Sequence, residues 1–301
     1  SPDGKRFAFT DIDRTSSRPD TLCVMNADGT ELRRIARWMW YPLWSPDGSR
    51  ILAEGGFLGL FYPSDNFIED DRNLLDRRLG DPSASLRRGT WSPSGKAVAA
   101  TSDSVLWVVD ADGSNQKSIV KVEQGLLTSV SWSPDGQWLA YSGQGVSAVN
   151  TLDSRRRNIS SFGLGPVWNP RANKIAYYWN TDSQIFGDQS EKSVGIHIHD
   201  FDSGRTDVID LGSIHIAFNK RPLVWSPDGR YLAFEMKKEG LFRKQPPAIY
   251  VLDVEKRELH KQVDGQHFVD SSIKWSPDGT KLLLALVHED YTRVHDVNYG
   301  E

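Results

Sequence analysis

The sequence predicts an all-β protein in which short antiparallel strands recur in groups of four. Three observations indicate this. The tight-turn sequence Ser-Pro-Asp-Gly, or a close variant, occurs seven times in the 301 residues. Six of these copies directly follow a tryptophan, which gives a packing reason for the high total of 11 Trp. Between the copies, apolar and β-branched runs alternate with turn residues, as expected for the strands of a repeat protein.

The motif copies divide the chain into seven repeats of similar length. Successive Trp anchors are separated by 47, 41, 36, 57 and 50 residues. These intervals scatter around the roughly 40–50 residues of one blade in a radial repeat. The copies are anchored at Ser1, Trp44, Trp91, Trp132, Trp168, Trp225 and Trp275.

Each repeat reads as four strands, labelled A to D in chain order. Strand A ends at the anchor Trp, and the motif forms the A–B turn, where Pro presets φ and Gly accepts a positive φ. Strand B follows, as in Trp138–Tyr141, and strand C comes next, as in Leu106–Val109. An Asp-Gly turn, as in Asp110–Gly113, leads to strand D. In the fifth repeat the motif has become Trp168-Asn-Pro, and we expect Asn173 to replace the turn Gly.

This pattern predicts a β-propeller of four-stranded antiparallel blades. Seven blades are expected, of which the first lacks strand A and the last lacks a clear strand D. Residues 1–301 are expected to form this single domain, with each anchor Trp packed between neighbouring blades.

The repeats resemble the TolB-type β-propeller repeat, the Pro-Asp relative of the Trp-Asp propellers. The resemblance covers nearly the whole chain and concerns the fold, which hosts unrelated functions. Its members include periplasmic envelope proteins, the gating propellers of prolyl oligopeptidases and some polysaccharide lyases. The chain departs from TolB itself, which has six blades behind an N-terminal α/β domain. The resemblance implies an extracytoplasmic location: periplasmic, cell-surface or secreted.

Composition and missing motifs exclude several functions. The net charge of -4 argues against a nucleic-acid binder. No run approaches the roughly 18 apolar residues of a membrane span. The single cysteine, Cys23, excludes an internal disulfide framework and a cysteine zinc cluster. No Gly-x-Ser-x-Gly elbow or phosphate-binding glycine motif occurs, so no catalytic residue is assigned and an enzyme is the less favoured class.

Loop length predicts where a partner would bind. The A–B and C–D turns are short in most repeats, whereas the B–C loops and D–A connections vary. We assign Glu54 to about Leu79 to the B–C loop of the second repeat, with a helical turn from about Glu69 to Leu79. Recognition residues are common on such loops, and aromatic and Arg side chains anchor many interfaces. The predicted binding residues are Trp38, Trp40, Arg87, Arg88, His215, Lys220, Arg221, His267 and Phe268.

Each of these residues has a competing structural explanation. Trp38 and Trp40 alternate along a strand and would then pack between blades. The Arg side chains would be solvated surface charges. The aromatic run from Phe57 to Tyr62 would either contact a partner or be buried against the second blade, and burial is the favoured interpretation.

No metal site or cofactor is predicted. His197 and His199 alternate on one side of a strand, as metal ligands do, but they align with ordinary strand C packing positions such as Tyr250 and Leu252. Asp11, Asp13 and Asp20, and the run Glu69–Asp71, carry the oxygen ligands that calcium prefers. Neither acidic group has the spacing of an EF-hand loop, so solvated loops are expected.

These arguments leave three functional hypotheses. The first is a non-enzymatic propeller that binds a protein, peptide or glycan partner on the variable-loop face. The second is a metal-assisted polysaccharide lyase or hydrolase on the same face. The third is the propeller part of a larger peptidase or sensor, suggested by the start of the sequence inside a repeat.

Overall fold

The protein was analysed as a computed structural model, which describes eleven parts of the chain. These parts are residues 1–11, 20–68, 71–123, 126–180, 194–211, 214–215, 223–238, 248–264, 273–285, 292–297 and 299. The chain divides into two compact units. The first contains Ser1–Trp138 with Val149–Arg155, and the second contains Leu139–Ala148 with Arg156–Glu301.

The described strands form seven sheets, one for each anchor. The first three sheets consist of β1 (Arg6–Asp11), β2 (Thr21–Asn26) and β3 (Arg33–Arg37); β4 (Trp40–Trp44), β5 (Ile51–Glu54) and β6 (Leu58–Phe61); and β7 (Arg87–Trp91), β8 (Ala97–Ser102), β9 (Val105–Asp110) and β10 (Lys117–Lys121). The fourth sheet consists of β11 (Ser129–Trp132), β12 (Trp138–Ser142), β13 (Val146–Asn150) and β14 (Arg156–Ser160). Its residues are divided between the two units.

The remaining three sheets lie in the second unit. They consist of β15 (Leu164–Trp168), β16 (Lys174–Asn180), β17 (Val194–Asp200) and β18 (Thr206–Asp210); β19 (Ile214–His215), β20 (Val224–Trp225), β21 (Tyr231–Lys238), β22 (Ala248–Asp253) and β23 (Glu258–Asp264); and β24 (Lys274–Trp275), β25 (Lys281–Ala285) and β26 (Thr292–Asp296). In the sixth sheet, β19 and β20 both pair with β21. One short helix, α1 (Asp71–Leu75), and a 3-10 turn at Pro82–Ala84 complete the described elements.

Strand order confirms the predicted A–B–C–D grammar. Neighbouring strands pair antiparallel, as in β8 and β9, where Ala97 lies opposite Asp110 and Ser102 opposite Val105. Among the described residues, the first sheet lacks a strand A and the last lacks a strand D, as the sequence predicts. Strands B and C carry most of the buried side chains, because they lie in the middle of each sheet.

The segment after β5 corrects one sequence prediction. Gly55 and Gly56 form a short B–C turn, closed by a 2.8 Å bond from the Gly55 amide to the Phe57 carbonyl. Strand C is therefore β6, and the additional residues belong to the C–D connection. After the short helix α1, residues 77–79 take the place of strand D, because Leu79 N donates to Leu58 O and Leu60 N to Arg77 O, both at 2.8 Å.

The apolar residues of this segment are mostly buried, as the favoured interpretation predicted. Phe57, Leu58, Phe61, Leu74 and Leu79 are all buried, whereas Tyr62, at the end of the predicted aromatic run, is 45% exposed. The predicted helical turn from Glu69 to Leu79 is shorter in the structure, where it spans Asp71–Leu75.

The A–B turns form their hydrogen bonds as the motif predicts. In the second sheet, Asp47 Oδ1 accepts from the Ser45 hydroxyl at 2.5 Å and from the Ser49 amide at 3.0 Å, while Ser45 Oγ accepts from Arg50 N at 2.9 Å. These hydrogen bonds, that of Ser45 first, lower the pKa of Asp47 to about 2. These hydrogen bonds lie within the turn, and Nη2 of Arg6 in the first sheet adds a contact to the Gly48 carbonyl at 3.4 Å.

The A–B turn of the fifth sheet is closed by different hydrogen bonds, and the prediction that Asn173 replaces the turn Gly is wrong. Asn173 does not have a positive φ. Instead, the Oδ1 atom of buried Asn169 accepts from the amides of Arg171 and Ala172 at 2.8 and 2.9 Å. Asn173 donates its side-chain amide to Asp202 at 2.6 Å. A side-chain oxygen has replaced the glycine as the means of closing the turn.

The anchor tryptophans connect neighbouring sheets, as predicted. Four of the six anchor indoles donate their N–H to the carbonyl of the residue that precedes the anchor of the previous sheet. The bonds are Trp91 to Leu43 (3.1 Å), Trp132 to Thr90 (3.2 Å), Trp225 to Val167 (3.2 Å) and Trp275 to Val224 (3.0 Å). Trp44 differs, since its buried Nε1 has no hydrogen-bond partner among the residues that the structure describes.

The difference between Trp132 and Trp44 predicts that replacing each with Phe lowers the free energy of unfolding by a different amount. Trp132→Phe should lower the free energy of unfolding by about 1 kcal/mol more than Trp44→Phe, because only Trp132 loses a buried hydrogen bond. Both substitutions remove similar apolar area, so each serves as the control for the other. Urea denaturation followed by circular dichroism measures the difference. Equal costs would show that the indole bond contributes nothing.

Candidate recognition surface

The structure describes four of the nine predicted binding side chains. Trp38, Trp40, Arg87 and Arg88 lie in the first unit, at the beginning of strands β4 and β7. The backbone of His215 lies in β19, opposite Lys237. Lys220, Arg221, His267 and Phe268 lie outside the described residues.

Trp38 is held in an exposed position just before β4. Its φ is +59°, a conformation that L-residues other than Asn and Asp rarely adopt. The backbone amide donates to the Asp20 carbonyl at 2.7 Å, and 49% of the residue's surface is exposed. The side chain of Trp40, two residues on, is half-buried and donates Nε1 to Asp20 Oδ2 at 2.8 Å. Asp20 therefore positions both tryptophans.

Glu54, at the end of β5, connects β4 with β7. It lies opposite Trp40 in the sheet register. One carboxylate oxygen accepts from the Arg88 amide at 2.7 Å, and the other lies 3.7 Å from Arg87 Nη1. Arg87 also donates to the Gly55 carbonyl at 3.2 Å. Glu54 thus links the start of β7, which its largely buried carboxylate contacts, to the start of β4, with which its backbone pairs.

A bulge at the start of strand A presents further side chains to solvent. Tyr41 and Arg88 both lie three residues before an anchor Trp, and both have a positive φ, of 55° and 51°. The register shifts at the same place, between Trp40 and Leu43 in β4 and between Arg87 and Thr90 in β7. Strained backbone of this kind persists only where its surroundings hold it, and it is common at binding sites.

We define the strand A surface as Trp38, Trp40, Tyr41, Arg87 and Arg88. Tyr41 is 60% exposed, and the guanidinium of Arg88 donates to the Leu127 carbonyl at 3.0 Å. The surface combines exposed aromatic area with two positive charges, of which Arg87 is compensated in part by Glu54. Such a surface can bind apolar and acidic groups of a partner.

Sequence reasoning missed Tyr41, Asp20 and Glu54 as parts of this surface. The position of Tyr41, three residues before an anchor, is a signal that the sequence carries, since Arg88 and Gly165 occupy it in other repeats. Gly165 also has a positive φ, of 64°. The roles of Asp20 and Glu54 depend on contacts between sheets, which a single sequence does not encode locally.

The histidine pair of the fifth sheet packs as predicted. His197 stacks on Trp179 with ring centroids 5.1 Å apart, and His199 Nδ1 lies 2.9 Å from the Thr206 hydroxyl. Burial lowers the pKa of both imidazoles. Within the part of the chain that the structure describes, no three His, Cys, Asp or Glu side chains lie close enough to hold a metal ion. No described helix is long and apolar enough to span a membrane.

Sequence comparison finds one repeat match and one curated relative. Residues 117–148 match the family model "WD domain, G-beta repeat". An uncharacterised peptidase of Bacillus subtilis strain 168, YuxL, is 26% identical over 147 residues, which is 47% of this chain. The matching region covers only 20% of that relative's length.

Comparison with solved structures extends to almost the whole chain. An oligogalacturonate lyase in complex with manganese superposes with a TM-score of 0.73 and 12% identity, over 99% of this chain and 87% of the other. The β-propeller domain of Cps50 (Swd1) from Myceliophteria thermophila gives 0.66 and 13%, over 99% and 94%. A candidate TolB from Agrobacterium tumefaciens gives 0.58 and 17%, over 89% and 94%. The chain has a TolB/WD-like β-propeller fold, which confirms the predicted fold class.

Proposed function

We propose that the protein is a non-enzymatic binding module whose strand A surface recognises a protein or peptide partner. The observation that carries this proposal is the pair of exposed aromatic residues, Trp38 and Tyr41, held at positive φ, together with exposed Arg88, whose amide Glu54 binds. Interfaces are enriched in aromatic and Arg side chains, and these contribute most of the binding free energy.

The supporting framework makes the surface rigid before a partner arrives. Asp20 holds Trp38 and Trp40, and Glu54 holds the backbone of Arg88. Side chains that are already positioned lose less conformational entropy on binding. A propeller fold is compatible with this role, although it also hosts others. The additional residues of the second sheet belong to its C–D connection and not to its B–C loop. The proposal therefore depends on the strand A surface itself.

The test compares peptide binding by variants in which the new residue accepts the positive φ of the residue that it replaces. Asn tolerates a positive φ, so Trp38→Asn and Arg88→Asn remove the large side chains and keep the backbone conformation at both positions. Peptides selected from a displayed random library on the unaltered protein should bind each variant about 30-fold more weakly, which corresponds to ~2 kcal/mol for one central contact.

Leu152→Asn is the control, because Leu152 is exposed in a C–D turn remote in sequence from the surface. This control should bind the selected peptides unchanged. Selected peptides that bind both surface variants as tightly as the unaltered protein would overturn the proposed surface.

A second candidate function is a metal-assisted polysaccharide lyase. The similarity to a lyase structure over 99% of this chain favours it. Absorbance assays for unsaturated products from oligogalacturonate with added manganese test this alternative. Turnover would contradict the non-enzymatic proposal, whereas its absence together with no bound metal by elemental analysis would contradict the lyase.

A third candidate is the propeller part of a larger peptidase, which the YuxL match favours. We also propose an extracytoplasmic location, on the basis of likeness to a candidate TolB. Fractionation of native cells with an antibody against the chain tests both proposals through the compartment and the mass of the detected product. A cytoplasmic signal would contradict the location, and a product of 33.9 kDa would contradict the larger peptidase.

A further inference from the structure

The first sheet differs from the other six because no described strand lies in its strand A position. In the part of the chain that the structure describes, β1 pairs only with β2, so the opposite edge of β1 is open. An open edge presents backbone amide and carbonyl groups that can pair with a further strand. We propose that this edge, which belongs to the first unit, binds an extended segment of a partner protein that carries an aromatic residue in the anchor position.

The side chains of β1 are less covered than those of the equivalent strands in neighbouring sheets. Residues 51–53 of β5 and residues 98–100 of β8 are at most 1% exposed. The equivalent residues of β1 are Phe7, Ala8 and Phe9, and all three are only partly buried. A strand bound along the open edge would remove more of this apolar surface from water, which favours binding.

Trp44 gives independent evidence of what fits beside β1. Four other anchor indoles donate to the carbonyl that precedes the anchor of the previous sheet. For Trp44 the previous sheet is the first, where no described residue occupies that place, and its buried Nε1 has no hydrogen-bond partner in the described part of the chain. Because leaving a buried donor unpaired is unfavourable, a bound strand that brought a carbonyl to this nitrogen would be stabilised.

The contacts around the open edge are otherwise those of a complete repeat. Ser1 N donates to the Arg6 carbonyl at 2.6 Å, and Ser45 N donates in the same way to the Arg50 carbonyl at 2.8 Å. The guanidinium of Arg6 lies 4.9 Å from the centre of the Trp44 ring, and the equivalent distance between the second and third sheets is 5.2 Å. The first two sheets therefore pack on each other as the second and third do.

The repeats also predict the register of the bound segment. In the second sheet, Trp44 lies opposite Ile51, and the residue before it lies opposite Leu52. Phe7 and Ala8 occupy the places of Ile51 and Leu52 in the first sheet. The aromatic residue of the partner should therefore lie opposite Phe7, and the carbonyl of the residue before it should accept from Trp44 Nε1. Tryptophan suits this place, because all six other repeats have it there.

The test is titration calorimetry of the 301-residue protein with a synthetic peptide copied from residues 126–132, which end with strand A of the fourth sheet. We expect one peptide to bind per chain, and hydrogen exchange should show protection of amides in β1. The same peptide with Ala in place of its Trp should bind at least tenfold more weakly, since a buried aromatic anchor contributes a large part of the binding free energy.

Two protein variants form a matched pair. Trp44→Phe removes the indole donor and should weaken peptide binding about fivefold, which corresponds to one hydrogen bond of ~1 kcal/mol. Trp132 already donates to the Thr90 carbonyl, so Trp132→Phe should bind the peptide as the unaltered protein does. Arg88→Asn should also bind it unchanged, so this proposal and that for the strand A surface can fail separately.

Three results would each overturn the proposal: no binding of the peptide, equal binding by Trp44→Phe and the unaltered protein, or protection confined to strands other than β1. The protein isolated from native cells should bind the same peptide. If it did not, although the 301-residue protein did, its own polypeptide would fill the place beside β1, and a partner protein would be the wrong occupant.

Discussion

Gly55→Ala should lower the free energy of unfolding by about 3 kcal/mol, at the upper end of what overpacking costs. A Cβ atom at Gly55 would lie 2.3 Å from the Trp38 carbonyl oxygen and 2.7 Å from the Met39 sulfur. The sulfur belongs to a flexible side chain, but the carbonyl is backbone and cannot rotate away. Trp38 must therefore shift, and with it the edge of the strand A surface.

The neighbouring glycine provides a matched control. A Cβ atom at Gly56 would meet nothing within 4 Å. Gly56→Ala should therefore leave stability unchanged or raise it by up to ~1 kcal/mol, since alanine restricts the unfolded chain. Urea denaturation monitored by circular dichroism compares the stabilities of the two variants. Equal stabilities would show that the backbone at Trp38 yields easily and that the surface is not rigid.

Asp253→Ala is the second substitution for which a large loss is expected. Asp253 is only 2% exposed, and it accepts from the amides of Glu255 and Lys256 at 3.1 and 3.0 Å. Its other oxygen accepts from Arg230 at 2.8 Å. Breaking a buried pair costs ~3–5 kcal/mol, but the Arg230 side chain is 41% exposed, so screening reduces this to about 3 kcal/mol.

Asp253→Asn should cost much less, and the fourth sheet shows why. Asn150 occupies the same place after strand C, is buried, and accepts from the amides of Leu152 and Asp153 at 3.0 and 3.2 Å. An amide therefore satisfies this turn without an arginine. Asp253→Asn should lose only the interaction with Arg230, about 1 kcal/mol. If the Ala and Asn variants were equally unstable, the turn amides would not be the main source of the effect.

The loss caused by Asp253→Ala should also depend on pH. Desolvation acts to raise the pKa of Asp253, but the Lys256 amide and Arg230 outweigh it and lower the pKa below 3.8. A lowered folded-state pKa contributes stability above the unfolded value, and this contribution is lost as the pH falls through the folded value. The difference between the two proteins should therefore be full at pH 7 and smaller at pH 3. A difference that is constant with pH would contradict the charged state of Asp253.

Local signals made most of the fold predictable. The turn motif carries its own hydrogen-bonding groups, as Ser45 and Asp47 show, so its seven copies locate seven A–B turns without tertiary information. The C–D connection of the second sheet was misplaced because Phe57–Tyr62 lacks the Asp-Gly signal that marks strand C elsewhere. Strands β5 and β6 are joined by a turn of only two glycines. The sequence does not mark this turn, and only the pairing of β5 with β6 reveals it.

The candidate surface was predictable in part for a related reason. Trp38, Trp40, Arg87 and Arg88 were predicted as binding residues because loop length varies on the face where they lie. The positive φ of Trp38 and Arg88 and the contacts of Glu54 with Arg87 and Arg88 were not predicted. These features arise where residues of different sheets meet, and no single repeat contains both partners.

Repetition and turn chemistry in the amino-acid chain predicted the strand order, the number of sheets and the packing role of the anchor tryptophans, because the same short motif recurs and places equivalent residues at equivalent points of each sheet. Tertiary structure alone decided that Tyr41 faces solvent and that the additional residues of the second sheet lie between strands C and D. Those outcomes depend on carbonyls, carboxylates and backbone that distant parts of the chain bring into contact.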